Sequence, residues 1–350
     1  MSRRVTAAVF GGSGYTGGEL LRLLLQHPNI EVVGATSGGH AGEPIHRSHP
    51  NLRGATSLDF LPRDKLPDAD VVFTCTPHTE SMKAVPGLMR DGRLVVDLSA
   101  DFRLKDAASY QTWYGVPHAA PQLLGQAVYG LPETRRAEQK GARLISGVGC
   151  FATATNLALL PLARAGLLEG ARIVATGLIG SSAAGAELNP GGMHAERSRS
   201  HRLYAATSHR HAAEVEQETG ARIHASVHTM ELVRGVVSTC HILLPGPAPD
   251  EKTIWKVFRS QYETEPFVRL VKERSGLHRG PDPNLVAGSN FADVGFHCEA
   301  PVAGQPGRIV ATCAIDNLVK GAAGSAIQSM NVALGLPETA GLTQLPLHPV

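Results

Sequence analysis

Cys150 lies in the run Ser146-Gly147-Val148-Gly149-Cys150-Phe151-Ala152-Thr153, which puts a thiol where a glycine-rich turn opens an apolar helix. The unpaired N–H groups and positive dipole end of such a helix favour a thiolate, the nucleophilic form of cysteine. Gly147 and Gly149 let the backbone turn sharply and keep bulk away from the sulfur, leaving room for a substrate carbonyl. The same pattern also fits a small, buried, apolar thiol.

The second cluster is Ser208-His209-Arg210-His211-Ala212-Ala213-Glu214, two histidines at the start of a predicted helix with a carboxylate one turn on. His209 or His211 beside a thiol would act as general acid or base, because the imidazole pKa lies close to working pH. Helix capping is the alternative. A metal reading lacks a third ligand, so no metal is expected.

A third pattern is Gly11-Gly12-Ser13-Gly14-Tyr15-Thr16-Gly17, between a strand at 5–10 and a helix at 17–26. Gly11, Gly14 and Gly17 follow a strand and open a helix, the arrangement that places a pyrophosphate on a helix N-terminus. A turn rich in glycine for packing alone is the other reading. The next strand, 30–36, ends in Thr36-Ser37-Gly38-Gly39-His40 without the carboxylate that would hold a ribose 2′-hydroxyl, which favours NADP over NAD. No Arg or Lys sits in that turn, which leaves Arg47 or an N-terminal arginine as the cation to fold over it.

These residues need elements to hold them. Strand signals at 70–74 and 94–98 flank a helix at 79–90, so the N-terminal part reads as a parallel α/β sheet whose strand C-termini carry Cys75-Thr76-Pro77-His78 and Asp97 to Arg103. Arg103 there is either an anion clamp or a surface arginine paired to Asp101 or Asp106. Past Cys150, strands at 173–179, 224–230, 236–244 and 308–315 with helices at 212–218 and 252–262 predict a second, mostly antiparallel α+β domain. The glycine-rich, helix-like stretch Lys320 to Ile327 is expected to return to the first domain.

The 350 residues leave room for two domains. A net charge of +2 with 18% charged residues argues against a nucleic-acid footprint. No apolar run reaches membrane-span length, and the N-terminus leads straight into a strand, so a cytoplasmic location is expected. Five scattered cysteines, without a C-x-x-C pair, argue against a disulfide framework or zinc site.

The chain resembles the N-acyl-γ-glutamyl-phosphate reductases, acyl-phosphate semialdehyde dehydrogenases of arginine biosynthesis, and their relatives in the carrier-protein route to lysine. The blocks that carry the resemblance run from end to end: GGSGYTGGELLRLL, HPNLRG, DLSADFRL, YGLPE, GCFATATNLALLPL, SHRHAAEVEQ, RGVVST, EPFVRL and IDNLVKGAAGSAIQSMN. It implies a doubly wound Rossmann domain over 1–149, completed by 317–350, and an inserted α+β catalytic domain of semialdehyde dehydrogenase type over 150–316 that mediates dimer or tetramer contacts. It also implies Cys150 as nucleophile, with His209 and His211 as the proton-transfer pair. Gly11, Ser13, Gly14, Tyr15, Thr16 and Gly17 would lie at the cofactor pyrophosphate, Ser37 at the 2′-phosphate and Asn317 close to the nicotinamide. Arg103, Arg234 and Lys320 would be anion contacts for the substrate.

The implied reaction is NADPH-dependent reduction of an acyl phosphate to a semialdehyde through a cysteine thioester. Residues 177–204, with Arg197, Arg199 and Arg202, look like the lysine branch, in which the substrate amino group is carried on the small acidic protein LysW; basic side chains would suit such a partner. N-acetyl-γ-glutamyl phosphate, or both substrates, is the alternative. An NADP-sensing regulatory protein on the same fold is the non-enzyme alternative, disfavoured by the joint presence of Cys150 and the histidine pair.

Overall fold

The computed structural model describes residues 4–89, 92–300 and 305–350. Arg3 and Arg90, respectively one of the N-terminal arginines and the expected end of the 79–90 helix, lie outside these residues. The chain forms two compact units, Met1–Val148 with Ala322–Gln344, and Gly149–Gly321 with Leu345–Val350.

The first unit alternates β1 (Val5–Phe10), α1 (Tyr15–Leu24), β2 (Ile30–Thr36), α2 (Ile45–Ser48), β3 (Phe60–Leu61), β4 (Val71–Thr74), α3 (Ser81–Leu88), β5 (Leu94–Asp97), α4 (Ala108–Tyr114), β6 (Ala127–Tyr129), α5 (Pro132–Gln139) and β7 (Leu144–Ser146). Its sheet runs β3-β2-β1-β4-β5-β7-β6, with every pairing parallel. The order steps outward from β1 in both directions, so β1 and β4 flank the switch point where ligands bind beyond strand C-termini. Ala7, Ala8 and Val9 of β1 and Val71, Val72 and Phe73 of β4 are fully buried, which is why these strands read as continuous apolar runs.

The glycine turn is set by close contacts. Gly11 has φ +86°, and a Cβ on Gly17 would lie 2.5 Å from the Gly12 carbonyl oxygen, so α1 packs against the turn only without a side chain there. His49 secures the same turn through a 2.8 Å hydrogen bond between its Nε2 and the Gly12 carbonyl. Burial holds the His49 pKa below the usual value, and with a carbonyl as its partner Nε2 is the ring nitrogen that donates.

The second unit opens with α6 (Cys150–Arg164) and continues through β8 (Arg172–Ile179), α7 (His194–Arg197), β9 (Arg202–Ala205), α8 (His211–Thr219), β10 (Ile223–Thr229), β11 (Val236–Leu243), α9 (Glu251–Tyr262), β12 (Val268–Leu270), β13 (Ala292–Cys298) and β14 (Arg308–Ile315). The sheet order is β12-β13-β14-β11-β8-β10-β9. It is mixed: β8 pairs with β10 in parallel and β12 with β13 in parallel, while the other neighbours are antiparallel. β8, β10 and β11 alternate buried and more exposed residues, and α6 packs on the buried face.

A π-helical turn, Val319–Ala323, leads into α10 (Gly324–Leu334). α10 belongs to the first unit, where it packs on α5 and α1. Two of its buried polar side chains are matched there: Asn331 Oδ1 meets His27 Nε2 at 3.0 Å and Gln328 Nε2 donates to Glu133 Oε1 at 3.1 Å.

Candidate functional site

In the second unit, Cys150 is the first residue of α6, and its N-cap, Gly149, supplies no side chain to cap the helix. The positive end of the helix dipole therefore bears directly on the sulfur. The other thiols differ. Burial pushes Cys75 well above the ordinary thiol range, raises Cys240 to about 12 and raises Cys298. Cys313 is fully buried, whereas Cys150 is partly exposed.

α8 brings the histidines to this turn. Arg210 is its N-cap and His211 its first residue, and the His211 amide donates to His209 Nδ1 at 3.3 Å. The two rings meet edge to face with centroids 4.5 Å apart, and Phe151 packs on both, at 5.6 Å from His209 and 6.5 Å from His211. Burial and the neighbouring Arg210 push the His209 pKa down to about 4, so its ring is neutral at neutral pH.

Glu214, fully buried, completes the cluster. Its Oε2 accepts the Gly149 amide at 2.9 Å, and its Oε1 lies 3.9 Å from His211 Nε2. A Cβ on Gly149 would come within 2.6 Å of His211 Nε2 and 2.7 Å of Glu214 Oε1. On the other side, a Cβ on Gly321 would lie 2.6 Å from Cys150 Cβ, and one on Gly177 2.6 Å from the Phe151 ring. Three glycines thus admit the groups that crowd around Cys150.

The segment behind Cys150 is held by Asp316 and Asn317. The buried Asp316 carboxylate accepts the amides of Gly288, Leu318 and Val319 and pairs with Arg234 Nη1 at 3.2 Å. Asn317 accepts the Gly235 amide at 2.7 Å and donates to Ser182 Oγ at 3.0 Å, so its amide locks two loops together. Lys320 is fully buried, its ammonium 5.8 Å from the centre of the Phe267 ring. Cys150, His209, His211, Arg234, Asn317 and Lys320 all belong to this unit.

The first unit carries the remaining predicted residues. α1 starts at Tyr15 with Gly14 as its N-cap, no side chain caps it, and a Cβ at Gly14 would meet nothing within 4 Å. That open helix N-terminus fits a dinucleotide pyrophosphate. Ser37 Oγ donates to Ser13 Oγ at 3.0 Å and accepts the His40 amide at 3.2 Å, tying the end of β2 to the glycine turn. Arg4 precedes β1 and so sits at the opposite strand edge from Ser37, and Arg47 is exposed on α2. Arg63, unremarked in the sequence, stands against Gly38 instead.

Arg103 is buried rather than superficial, its Nε donating to the Gly147 carbonyl at 3.0 Å. Asp101 accepts the Thr79 and Met82 amides and feels the Arg103 charge, and Asp106 accepts the Ala108 amide. Among the described residues no three His, Cys, Asp or Glu side chains converge to hold a metal, and no helix is long and apolar enough to cross a membrane.

Sequence reasoning noticed Glu214 but gave it no role; the i, i+3 spacing from His211 was the available signal. His49 and Arg63 had no local signal, since their partners Gly12 and Gly38 lie far away in the chain, whereas Asp316 joins the near amides of Leu318 and Val319 to the distant Gly288 and Arg234.

Comparison with known proteins covers both units. Residues 6–142 match the semialdehyde dehydrogenase NAD binding domain, and residues 150–317 the semialdehyde dehydrogenase dimerisation domain. A Deinococcus radiodurans protein named [LysW]-L-2-aminoadipate 6-phosphate reductase is 47% identical over 350 residues, 99% of each chain. A Pyrobaculum aerophilum protein, 47% identical over 352 residues and 98% of this chain, bears a provisional name covering both [LysW]-L-2-aminoadipate and [LysW]-L-glutamate phosphates. Among solved structures, aspartate semialdehyde dehydrogenase II from Vibrio cholerae has the same fold, with a TM-score of 0.68 at 15% identity over 95% of this chain and 98% of that one. The Candida albicans aspartate semialdehyde dehydrogenase with NADP gives 0.67 at 14% identity, over 94% of this chain and 98% of that one. With both halves matched and a relative of this identity along its whole length, the chain belongs to the semialdehyde dehydrogenase family of oxidoreductases.

Proposed function

We propose that the protein reduces LysW-linked L-2-aminoadipate 6-phosphate to its semialdehyde with NADPH, in lysine biosynthesis. The observation that carries the chemistry is Cys150 at an uncapped helix N-terminus, with Glu214 bonded to the amide of the preceding Gly149 and His209 and His211 packed on the following Phe151. The substrate assignment rests on the full-length likeness to the Deinococcus radiodurans reductase.

In this reading Cys150 Sγ attacks the acyl carbon, the acyl–oxygen bond to phosphate breaks, and inorganic phosphate leaves a thioester. Arg234, oriented by Asp316, offers its guanidinium fork to the departing phosphate. Gly11, Ser13, Gly14, Tyr15, Thr16 and Gly17 hold the dinucleotide pyrophosphate; when bound, the nicotinamide supplies the hydride. His209, neutral at working pH, accepts a proton from the incoming thiol. The His209–His211 pair returns one when the thiohemiacetal collapses to aldehyde and free Cys150. Glu214 orients the turn through the Gly149 amide and steadies positive charge on His211.

Arg197, Arg199 and Arg202 lie in one segment whose Leu188, Met193 and Tyr204 are exposed, a surface suited to the carrier protein. We place the enzyme in the cytoplasm as a homo-oligomer of two or four copies.

The test is phosphate-dependent NADP reduction by the purified protein, offered LysW-linked aminoadipate semialdehyde and N-acetylglutamate semialdehyde in parallel, with Cys150→Ser as control. Preference for the carrier-linked aldehyde supports the reading; preference for the free acetylated aldehyde moves the enzyme to arginine synthesis. LysW-linked glutamate semialdehyde belongs in the same assay, because the Pyrobaculum aerophilum relative bears a name covering both substrates.

A further inference from the structure

β2 and β3 end side by side, with Thr36 opposite Leu61 and the Ser37 amide donating to the Leu61 carbonyl at 3.0 Å. One chain leaves into Ser37-Gly38-Gly39 and the other into the 3-10 turn Arg63–Lys65. The consequence is a contact across 25 residues of sequence. A Cβ built on Gly38 would lie 3.3 Å from Arg63 Nε and 3.6 Å from its Cζ and Nη2, so the guanidinium rests on bare glycine backbone.

Other groups at this corner suit an anion. The amides of Gly38 and Gly39 donate to no protein acceptor among the described residues. Arg63 is exposed and makes no hydrogen bond or ion pair among them. Glu43, the first carboxylate after β2, is turned to His40 Nδ1 at 3.2 Å. The Ser37 and Ser13 hydroxyls, 3.0 Å apart, connect the corner to the glycine turn that begins α1.

We infer that Arg63, with the Ser37 hydroxyl and the Gly38 and Gly39 amides, receives the 2′-phosphate of the dinucleotide and selects NADP over NAD. This rests on the cofactor reading given under Proposed function. An arginine fork matches two phosphate oxygens at once, and the absence of a carboxylate at the end of β2 removes the repulsion a 2′-phosphate would meet. Glycine at 38 is what lets the fork approach the backbone.

The experiment is direct binding, by titration calorimetry of the full chain with NADPH, NADH, adenosine 2′,5′-bisphosphate and adenosine 5′-monophosphate, on the wild type, Arg63→Ala and Arg63→Lys. Loss of a charge-assisted contact predicts NADPH and bisphosphate affinities about ten- to a hundred-fold weaker in Arg63→Ala. NADH and the monophosphate should stay within about two-fold, and Arg63→Lys should recover part of the loss. A wild type that prefers NADPH with an indistinguishable Arg63→Ala overturns the role of Arg63 alone. So does an equal loss for NADPH and NADH. A wild type that prefers NADH overturns the NADP reading and this inference together.

Discussion

Glu214 Oε2 accepts the Gly149 amide at 2.9 Å, one peptide before Cys150, and the same carboxylate faces His211. A single buried side chain therefore sets both the turn that presents the thiol and the environment of one histidine. Glu214→Gln keeps a hydrogen-bond acceptor while removing the charge; Glu214→Ala leaves the Gly149 N–H buried without a partner. The alanine variant should lose about 1–3 kcal/mol of folding stability. The glutamine variant should fold nearly normally with reduced kcat, little change in KM and an altered pH profile. Denaturant melts and steady-state kinetics over pH check both.

Cys150→Ser should lower turnover by about three orders of magnitude or more, since an alcohol at this position lacks the thiolate's nucleophilicity. Iodoacetamide should label Cys150 first among the five cysteines. Substrate should protect it. Peptide mapping of the labelled protein reads both, and labelling led by Cys75 or Cys240 would sink the assignment.

Gly321→Ala puts a methyl group 2.6 Å from Cys150 Cβ, which neither side can absorb without moving backbone. Overpacking of this kind costs about 1–3 kcal/mol. The expected outcome is a folded, destabilised protein with strongly reduced kcat and slower thiol labelling. Gly141→Ala is an unsuitable control because of its positive φ; Gly125→Ala, with nothing within 4 Å and ordinary backbone, serves for the fold.

His209 supplies a pH prediction. Its pKa falls from 6.5 in the unfolded chain to about 4 in the fold, chiefly through burial. Between those values the unfolded state binds a proton that the folded state does not, so stability falls as pH drops from about 6.5 towards 4. His209→Gln should flatten that part of the stability profile. In the enzyme, an acid limb due to His209 should lie near pH 4 rather than near 6.5. Chemical denaturation and kcat/KM across this range test the two statements.

His49→Leu removes the hydrogen bond that holds the Gly12 carbonyl while roughly preserving bulk. The glycine turn should loosen, weakening NADPH and NADH binding alike by about ten-fold. That common loss separates it from Arg63→Ala. Thiol labelling of Cys150 should be unaffected.

The sheet of the first unit was readable to the residue in places: β1 and β2 run over 5–10 and 30–36 as expected. Parallel strands covered on both faces leave an apolar run bounded by turns, and that signal is local. β11 and β14 were legible from their β-branched residues, and buried and more open positions alternate over most of each strand. β3, two residues long, and β12, three residues long, carry too little pattern to be recognised alone. β13 went unread because five consecutive buried residues erase the alternation.

By itself the sequence determined the local chemistry: a thiol after Gly149, two histidines two residues apart, a glycine turn after an apolar strand. Backbone sterics and hydrophobic periodicity act within a few residues, so such features survive without any tertiary context. The fold decided which distant groups meet them. Glu214 reaches Gly149 across 65 residues because α8 packs on α6, and Arg63 reaches Gly38 because β3 pairs with β2. Those contacts follow from sheet register and helix packing, which depend on the burial of the whole chain rather than on any one segment.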